Sequence, residues 1–312
     1  MRLRSTQRRR RRGALAKVLW FPLLGALLLG ALWGLAVLDY PIGQPQGETF
    51  NEGRNAIWLA HTWVGDEHSR AEIETLSATL ATRGFRYLYL HAGPLEADGT
   101  VPPERYRYAK SFVAIAKARQ PDLMLLAWLG GLNRANGDGD LDLTDPRVRA
   151  NIVATAQRLL REGWDGIHLN IELLPTGRQD YLTLLAELRA ALGPRGYLSV
   201  AGQRLWLLPT PVAPLPKLSE FIWDAAYLRA VAAQVNQVAV MTYDSALPLP
   251  NLFIQYQRAQ TRELVKALAG AGDLELLVGV PTYSDKRWNF HEAAENMGSG
   301  LQGVIEEALM AA

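Results

Sequence analysis

From Asn55 onward short apolar runs alternate with stretches of helical periodicity, and this alternation constrains the fold more than any other feature of the chain. Strands separated by helices pair in parallel, because each crossover returns the chain to the same end of the sheet. The runs are NAIWLAHTW (55–63), FRYLYLHAG (85–93), LMLLAWLGG (123–131), GWDGIHLNIE (163–172), YLSVAGQRL (197–205), VAVMTYD (238–244) and LELLVGVPTY (274–283). Helical patterns lie between them over 69–83, over 103–119 with Pro103 in the first turn, and from an Asp145–Pro146 cap to about Arg161. No run is followed by the GxGxxG turn of a dinucleotide-binding sheet, and polar residues gather at the strand ends. The pattern predicts an α/β fold, a (β/α)8 TIM barrel. An eighth strand is not evident: after Tyr283 come a turn, SDKRWNF, and a final helical stretch from His291 to Leu309. Either the barrel stays open between its last and first strands, or the sequence stops short of its last unit.

The first 54 residues read as an address. Residues 1–17 hold eight basic residues and no acid, and form a basic cytoplasmic tail. Residues 18–38 carry no charge, and at ~1.5 Å of rise per residue they cross a hydrocarbon core of about 30 Å. Arginines stay on the cytoplasmic side, so the helix runs N-in and delivers the remainder outside the cytoplasm. A cleaved signal peptide has a shorter apolar core of ~7–15 residues and a small-residue cleavage site, so an uncleaved transmembrane signal anchor in the inner or plasma membrane is the favoured reading. Residues 39–54, rich in Gly, Pro and polar side chains, read as a linker, and 55–312 as the barrel domain.

Charge narrows the partners. The net charge of +2 belongs to the tail, since residues 18–312 carry −6 once its eight basic residues are set aside. A nucleic-acid surface is not expected on such a domain. The absence of cysteine excludes disulfides, thiolate metal sites and thiol nucleophiles. NGDGDLDLTD (136–145) lacks the glycine and the final carboxylate of a calcium loop and reads as a solvated rim loop. HEAAE (291–295) lacks the second histidine of the zinc motif. Neither a metal nor a cofactor is expected.

The chemistry gathers in GWDGIHLNIE. A strand of a parallel barrel is buried on both faces, so an alternation of polar and apolar residues there is informative. Ile167, Leu169 and Ile171 share one parity and should meet the helices. His168, Asn170 and Glu172 share the other and should turn into the barrel, with Glu172 at the carboxyl-terminal rim. His61, His91 and Gln203 end other strands, and Trp63, Trp128, Trp206 and Trp288 lie near rim positions.

These residues resemble the family 18 glycoside hydrolases, the chitinase-like barrels, whose fourth strand reads DGxDxDxE. Asp165, Gly166 and Glu172 match that motif, while His168 and Asn170 stand at its second and third aspartates. VAVMTYD is similar to the family's M-x-Y-D through Met241, Tyr243 and Asp244, GVPTY to its strand-seven ending through Tyr283, and Gly130–Gly131 to its S-x-G-G, with Trp128 in place of the serine. The resemblance implies hydrolysis of a β-linked N-acetylhexosamine polysaccharide in which the substrate's own acetamide assists. Glu172 would then be acid and base, Asn170 the acetamide-orienting group and Tyr243 its hydroxyl donor. Asp244, His168, Trp128, Tyr283, Gln203 and His91 would bind substrate. Asn170 lacks the negative charge that offsets a cationic intermediate, and His168 could become cationic beneath it. Two rival readings therefore stand: a catalytically silent glycan-binding or scaffold barrel, and a hydrolase pairing Glu172 with Asp244 or Asp285 as nucleophile.

Overall fold

Every one of the seven apolar runs becomes a strand, and all the strands pair in parallel. The computed structural model describes residues 39–43 and 52–311, apart from 135–138, 195, 208–220 and 285–288, and also residues 25, 27–31, 34 and 35. Strands β1 (Asn55–Leu59), β2 (Phe85–Pro94), β3 (Met124–Leu132), β4 (Gly166–Glu172) and β5 (Tyr197–Leu205) are followed by a two-residue β6 (Ile222–Trp223), β7 (Gln237–Met241) and β8 (Glu275–Gly279). The pairing order is β1-β2-β3-β4-β5-β7-β8, with β6 beside the end of β5. β6 escaped the sequence reading because two residues carry no periodicity.

Among the described residues no strand joins β8 to β1. Four of the five residues in each of these edge strands are only half-buried. The described residues thus form a near-closed parallel barrel with a seam between β8 and β1. The gap is spanned at its lower end by an ion pair between Arg54 and Glu275 at 3.7 Å.

The helices are α1 (Thr62–Gly65), α2 (Arg70–Thr82), α3 (Ala109–Arg119), α4 (Pro146–Arg161), α5 (Gln179–Leu192), α6 (Ala225–Ala232), α7 (Pro250–Ala267) and α8 (Met297–Ala311). α2 opens on a capping box between Ser69 and Glu72, and α4 on Asp145, whose side chain accepts from the Arg147 amide at 2.8 Å. Two expectations shift. The first strand stops at Leu59, and Trp63 stands instead in α1, stacked on His68 at 4.3 Å. Pro103 opens a separate 3-10 turn, Pro103–Tyr106, rather than α3. The linker also differs from a free tether. Gly43 donates to Gln302 at 3.0 Å, Gln302 donates to the Pro41 carbonyl at 2.9 Å, and Tyr40 donates to Glu306, so residues 40–43 lie docked on α8. The basic tail and most of the 18–38 span fall outside the described residues. The described part of the span is helical with Leu27, Leu28, Leu29 and Leu35 exposed. Among the described residues no helix is long and apolar enough to cross a membrane.

Two apolar layers follow from strand parity. Ile167, Leu169 and Ile171 join Leu125, Leu129, Val200 and Val238 in the core beneath the helices. Inside the barrel Tyr87, Tyr89, Leu126 and Ala239 pack with Trp58, Trp128, Tyr197 and Leu277. Through this interior runs a polar ladder at one register: Trp128, His168, Ser199, Gln237 and Glu275 are successive partners across five strands. Trp58 Nε1 donates to His168 Nε2 at 2.9 Å, which leaves the imidazole proton on Nδ1. That nitrogen meets Ser199 Oγ at 2.8 Å, Ser199 donates to Gln237 Oε1 at 2.8 Å, and Gln237 Nε2 donates to Glu275 at 3.0 Å. Burial pushes the His168 pKa down to about 3, so the ring is neutral.

Two outcomes follow. Ser199→Ala strips the acceptor from a buried N–H and should cost on the order of 1–3 kcal/mol in urea unfolding; an unchanged midpoint would show that the ladder contributes nothing. An unfolded histidine titrates near ~6.5, so the unfolded state binds the extra proton between that value and about 3. The contribution is complete above pH ~6.5 and declines as pH falls toward 3. Thermal melts of wild type and His168→Asn across this window should show a flatter pH dependence in the variant, and parallel curves would refute the assignment.

Candidate active site

Strand β4 ends at the rim, and inward parity brings Asn170 and Glu172 to a cavity of about 380 Å³. His91, Pro94 and Leu95 of β2 and its loop, Trp128 and Gly130–Leu132 of β3, and Gly139–Leu141 form the remaining walls. The Gly139 segment comes this close because it lacks a side chain: a Cβ there would collide with the Leu132 carbonyl. Leu141 is buried and bridges to Asn133. This segment was expected to be a solvated loop. The alternation of Asp140 and Asp142 with Leu141 and Leu143, both buried, is the signal that distinguishes a packed wall from a solvated turn.

Glu172 is half-buried and lies against the cavity. Among the described residues no lysine or arginine forms an ion pair with it. Its Oε1 accepts from Asn170 Nδ2 at 3.1 Å, and this bond orients the amide. The other end of that amide is unusual. Asn170 is 9% exposed, and its Oδ1 is buried with no hydrogen-bond partner. Trp128 Nε1, a donor, is likewise buried and unpartnered. Buried polar atoms without partners are costly, and these two, an acceptor and a donor, belong to residues that line the same cavity. His91 tilts against Trp128 with ring centroids 4.4 Å apart. Burial, then His61 and Arg105, lower its pKa to about 4, so it too is neutral near pH 7. His61 takes no part in the cavity wall and contacts the His91 carbonyl through Nδ1 at 3.0 Å.

The remaining expected site residues separate from this group. His168, expected to bind substrate, is instead fully buried in the ladder and stacked on Tyr89 at 3.8 Å, so it has no surface with which to meet one. Burial also answers the concern that it would become cationic. Gln203 is buried at the end of β5, level with Met241, and does not line the cavity. Tyr243, Asp244 and Tyr283 form their own cluster beyond β7 and β8, outside the cavity wall. Tyr283 donates to Asp244 Oδ1 at 2.7 Å and meets Tyr243 edge-on at 5.8 Å. Asp244 adopts φ 56°, a left-handed turn that lets the next amide, Ser245 N, reach both carboxylate oxygens of buried Glu295 at 3.1 and 3.0 Å. Burial raises the Glu295 pKa. Asp285 and Trp288 lie outside the described residues. Trp206, in the segment after β5, is no part of the cavity wall. Among the described residues no three His, Asp or Glu side chains converge to hold a metal.

The arrangement offers a carboxyl group for proton transfer, an oriented amide beside it and two ring nitrogens opposite, in an open hollow at the carboxyl ends of parallel strands. Sequence comparison matches residues 65–309 to the family model described as Glycosyl hydrolases family 18. Comparison with curated proteins gives no match. Among solved structures, the chain is similar to the chitinase from Chromobacterium violaceum ATCC 12472, with a TM-score of 0.52, 15% identity and coverage of 73% of this chain and 68% of that one. It is also similar to the Bacillus cereus spore cortex-lytic enzyme SleL, with a TM-score of 0.53, 17% identity and coverage of 75% and 52%. For the family 18 chitinase of Cycas revoluta solved with allosamidin the TM-score is 0.51, at 21% identity and coverage of 72% and 68%. The chain thus spans about two thirds of these chitinases and about half of SleL. Because the family match takes in every strand from β2 to β8 in order, and these solved structures share the barrel fold, the chain belongs to glycosyl hydrolase family 18.

Proposed function

We propose that this is a membrane-anchored, extracytoplasmic glycosidase that cleaves a β-linked N-acetylhexosamine polysaccharide by substrate-assisted acid/base catalysis. The observation that carries the reading is the Glu172 carboxyl at an open cavity, free of cationic partners among the described residues and oriented through Asn170. In the first step Glu172 gives its proton to the glycosidic oxygen as the bond from that oxygen to the anomeric carbon breaks. The substrate's acetamide oxygen forms the replacing bond, which leaves an oxazolinium ion. Glu172, now a carboxylate, takes a proton from water, and the hydroxide oxygen opens the oxazolinium at the anomeric carbon.

Asn170 Oδ1 accepts the acetamide N–H in this scheme. An amide carries no charge, so it orients the group but offsets the cation less than a carboxylate does. Neutral His168 beneath the site adds no opposing charge. Tyr243, packed over Gly279, and the Asp244–Tyr283 pair hold another side of the rim, outside the cavity wall, and take no part in these steps. The basic tail, the uncharged 18–38 run and the exposed leucines of its described helix support the anchored, N-in topology.

The amide at position 170 also favours a second reading, a glycan-binding barrel without turnover. Hydrolysis of N-acetylated oligosaccharides separates the two. Glu172→Gln should lower the rate by on the order of 10²–10⁴-fold, the span expected for a positioned acid/base group. Asn170→Asp should raise turnover. Binding without any product at high enzyme concentration would establish the silent barrel, and equal activity on de-acetylated substrate would exclude acetamide assistance. For the anchor, the full chain should sediment with membranes and a chain lacking residues 1–38 should not; recovery of both in the soluble fraction would overturn it.

A further inference from the structure

We propose that α8 is the membrane-facing flank of the barrel: residues 40–43 clamp the end of the uncharged 18–38 run onto this helix, its exposed apolar stripe meets the lipid interface, and the cavity bearing Glu172 is held on the opposite side. The proposal rests on the anchored reading above and adds an orientation to it. Asp39 N donates to the Leu35 carbonyl at 2.9 Å, which ties the described end of the uncharged run to the docked segment. Tyr40 donates to Glu306 and accepts from Arg258 Nη1 at 2.9 Å, with its ring 5.5 Å from the Arg258 guanidinium. Gln302 closes the clamp through Pro41 and Gly43. Two peptide steps, at most about 7 Å, separate residue 38 from Tyr40. A span that ends there holds this part of α8 beside the lipid headgroups, where tyrosine is favoured.

The polarity of α8 is inverted. A surface helix ordinarily buries its apolar stripe and shows water its polar one. Here the buried side carries Ser299, Gln302 and Glu307, whereas Met297, Leu301, Val304, Ile305 and Ala308 recur at helical spacing along the outer side. Met297 is 53% and Leu301 38% exposed, and the other three are half-buried. α8 holds no lysine or arginine, and its Glu307 is paired with Arg258 and Arg262 of α7. Such a stripe suits the boundary between headgroups and acyl chains. Polarity alone does not distinguish lipid from a second copy of the chain; the clamp does, because it ties the end of the span to this same helix. α8 is seated on α7 and on the end of β8: a Cβ at Gly303 would lie 2.6 Å from the Ile254 carbonyl, and one at Gly300 would lie 2.8 Å from Val280. The cavity wall comes from β2, β3 and β4, and β3 stands four steps from β8 in the pairing order, about half the way round a barrel. The mouth therefore opens away from the bilayer, toward polymer that lies beyond the membrane surface.

The test exploits the absence of cysteine, which lets one introduced thiol carry an environment-sensitive fluorophore. The full chain, with Leu301→Cys on the stripe or Leu132→Cys on the cavity wall, is reconstituted in vesicles of phosphatidylcholine and phosphatidylglycerol that contain a headgroup-nitroxide lipid. The label at position 301 should lose most of its emission to the nitroxide, and the label at 132 should keep its own. Adding Tyr40→Ala with Gln302→Ala, a change whose effect on the fold a thermal melt checks, should leave the chain on the vesicles and shrink the loss at 301. Equal loss at both positions, or a greater loss at 132, overturns the orientation, and an unchanged loss at 301 in the clamp variant overturns the clamp. An unquenched label at 301 on vesicle-bound chain overturns the flank, and a disulfide between two copies at that position would assign the stripe to a second copy. If the parent chain does not float with the vesicles, the anchored reading fails and the flank with it.

Discussion

A strand in a parallel barrel has no wet face, so a polar side chain turned inward must find its partner among the other inward side chains or go without. In this chain the register of the strands solves most of that problem. His168, Ser199, Gln237 and Glu275 occupy successive partner positions, and each hands its hydrogen bond to the next. A slip of one residue on any strand would turn its polar member outward into the aliphatic layer and leave its neighbours unpaired. The ladder thereby ties the pairing of β4, β5, β7 and β8 to one arrangement. The same register carries Asn170 and Glu172 upward to the rim.

The two polar levels of β4 have different fates for a physical reason. At the level of His168 the interior is filled by Trp58, Tyr89 and Ser199, and every polar atom of the ring is answered. One pleat higher, Gly130 pairs with Asn170, whose Oδ1 has no partner beside the cavity; nor has Nε1 of Trp128, from the level below. The unsatisfied atoms belong to the hollow, whereas the satisfied ones support it. An amide at 170 is compatible with this geometry because one of its ends binds Glu172 and the other faces the cavity.

Much of this was readable from residues alone. Seven strands, their parallel sense and the inward parity of His168, Asn170 and Glu172 follow from apolar periodicity, which reports burial directly. That no further apolar run follows Tyr283 was legible for the same reason. Periodicity carries no information on which inward polar residues would meet one another. Ser199, Gln237 and Glu275 have the right parity, but their linkage depends on inter-strand register. For the same reason His168 was grouped with the substrate contacts and the Gly139–Leu141 wall was read as solvent-exposed. The distance between the cavity and the Tyr243–Asp244–Tyr283 cluster is a property of loops beyond β7 and β8, where no repeating pattern guides a reading.

The open seam has a consequence for how disturbance travels. Among the described residues β1 and β8 have no ladder partner on one side, so thermal fraying starts at those two margins, where backbone groups have water as their alternative. β4 is the midpoint of the pairing order, three strands from either margin. Peeling from one side must undo three ladders in succession before it loosens the segment bearing Glu172. The acid thus sits at the stiffest station of an incomplete ring, shielded by its place in the queue.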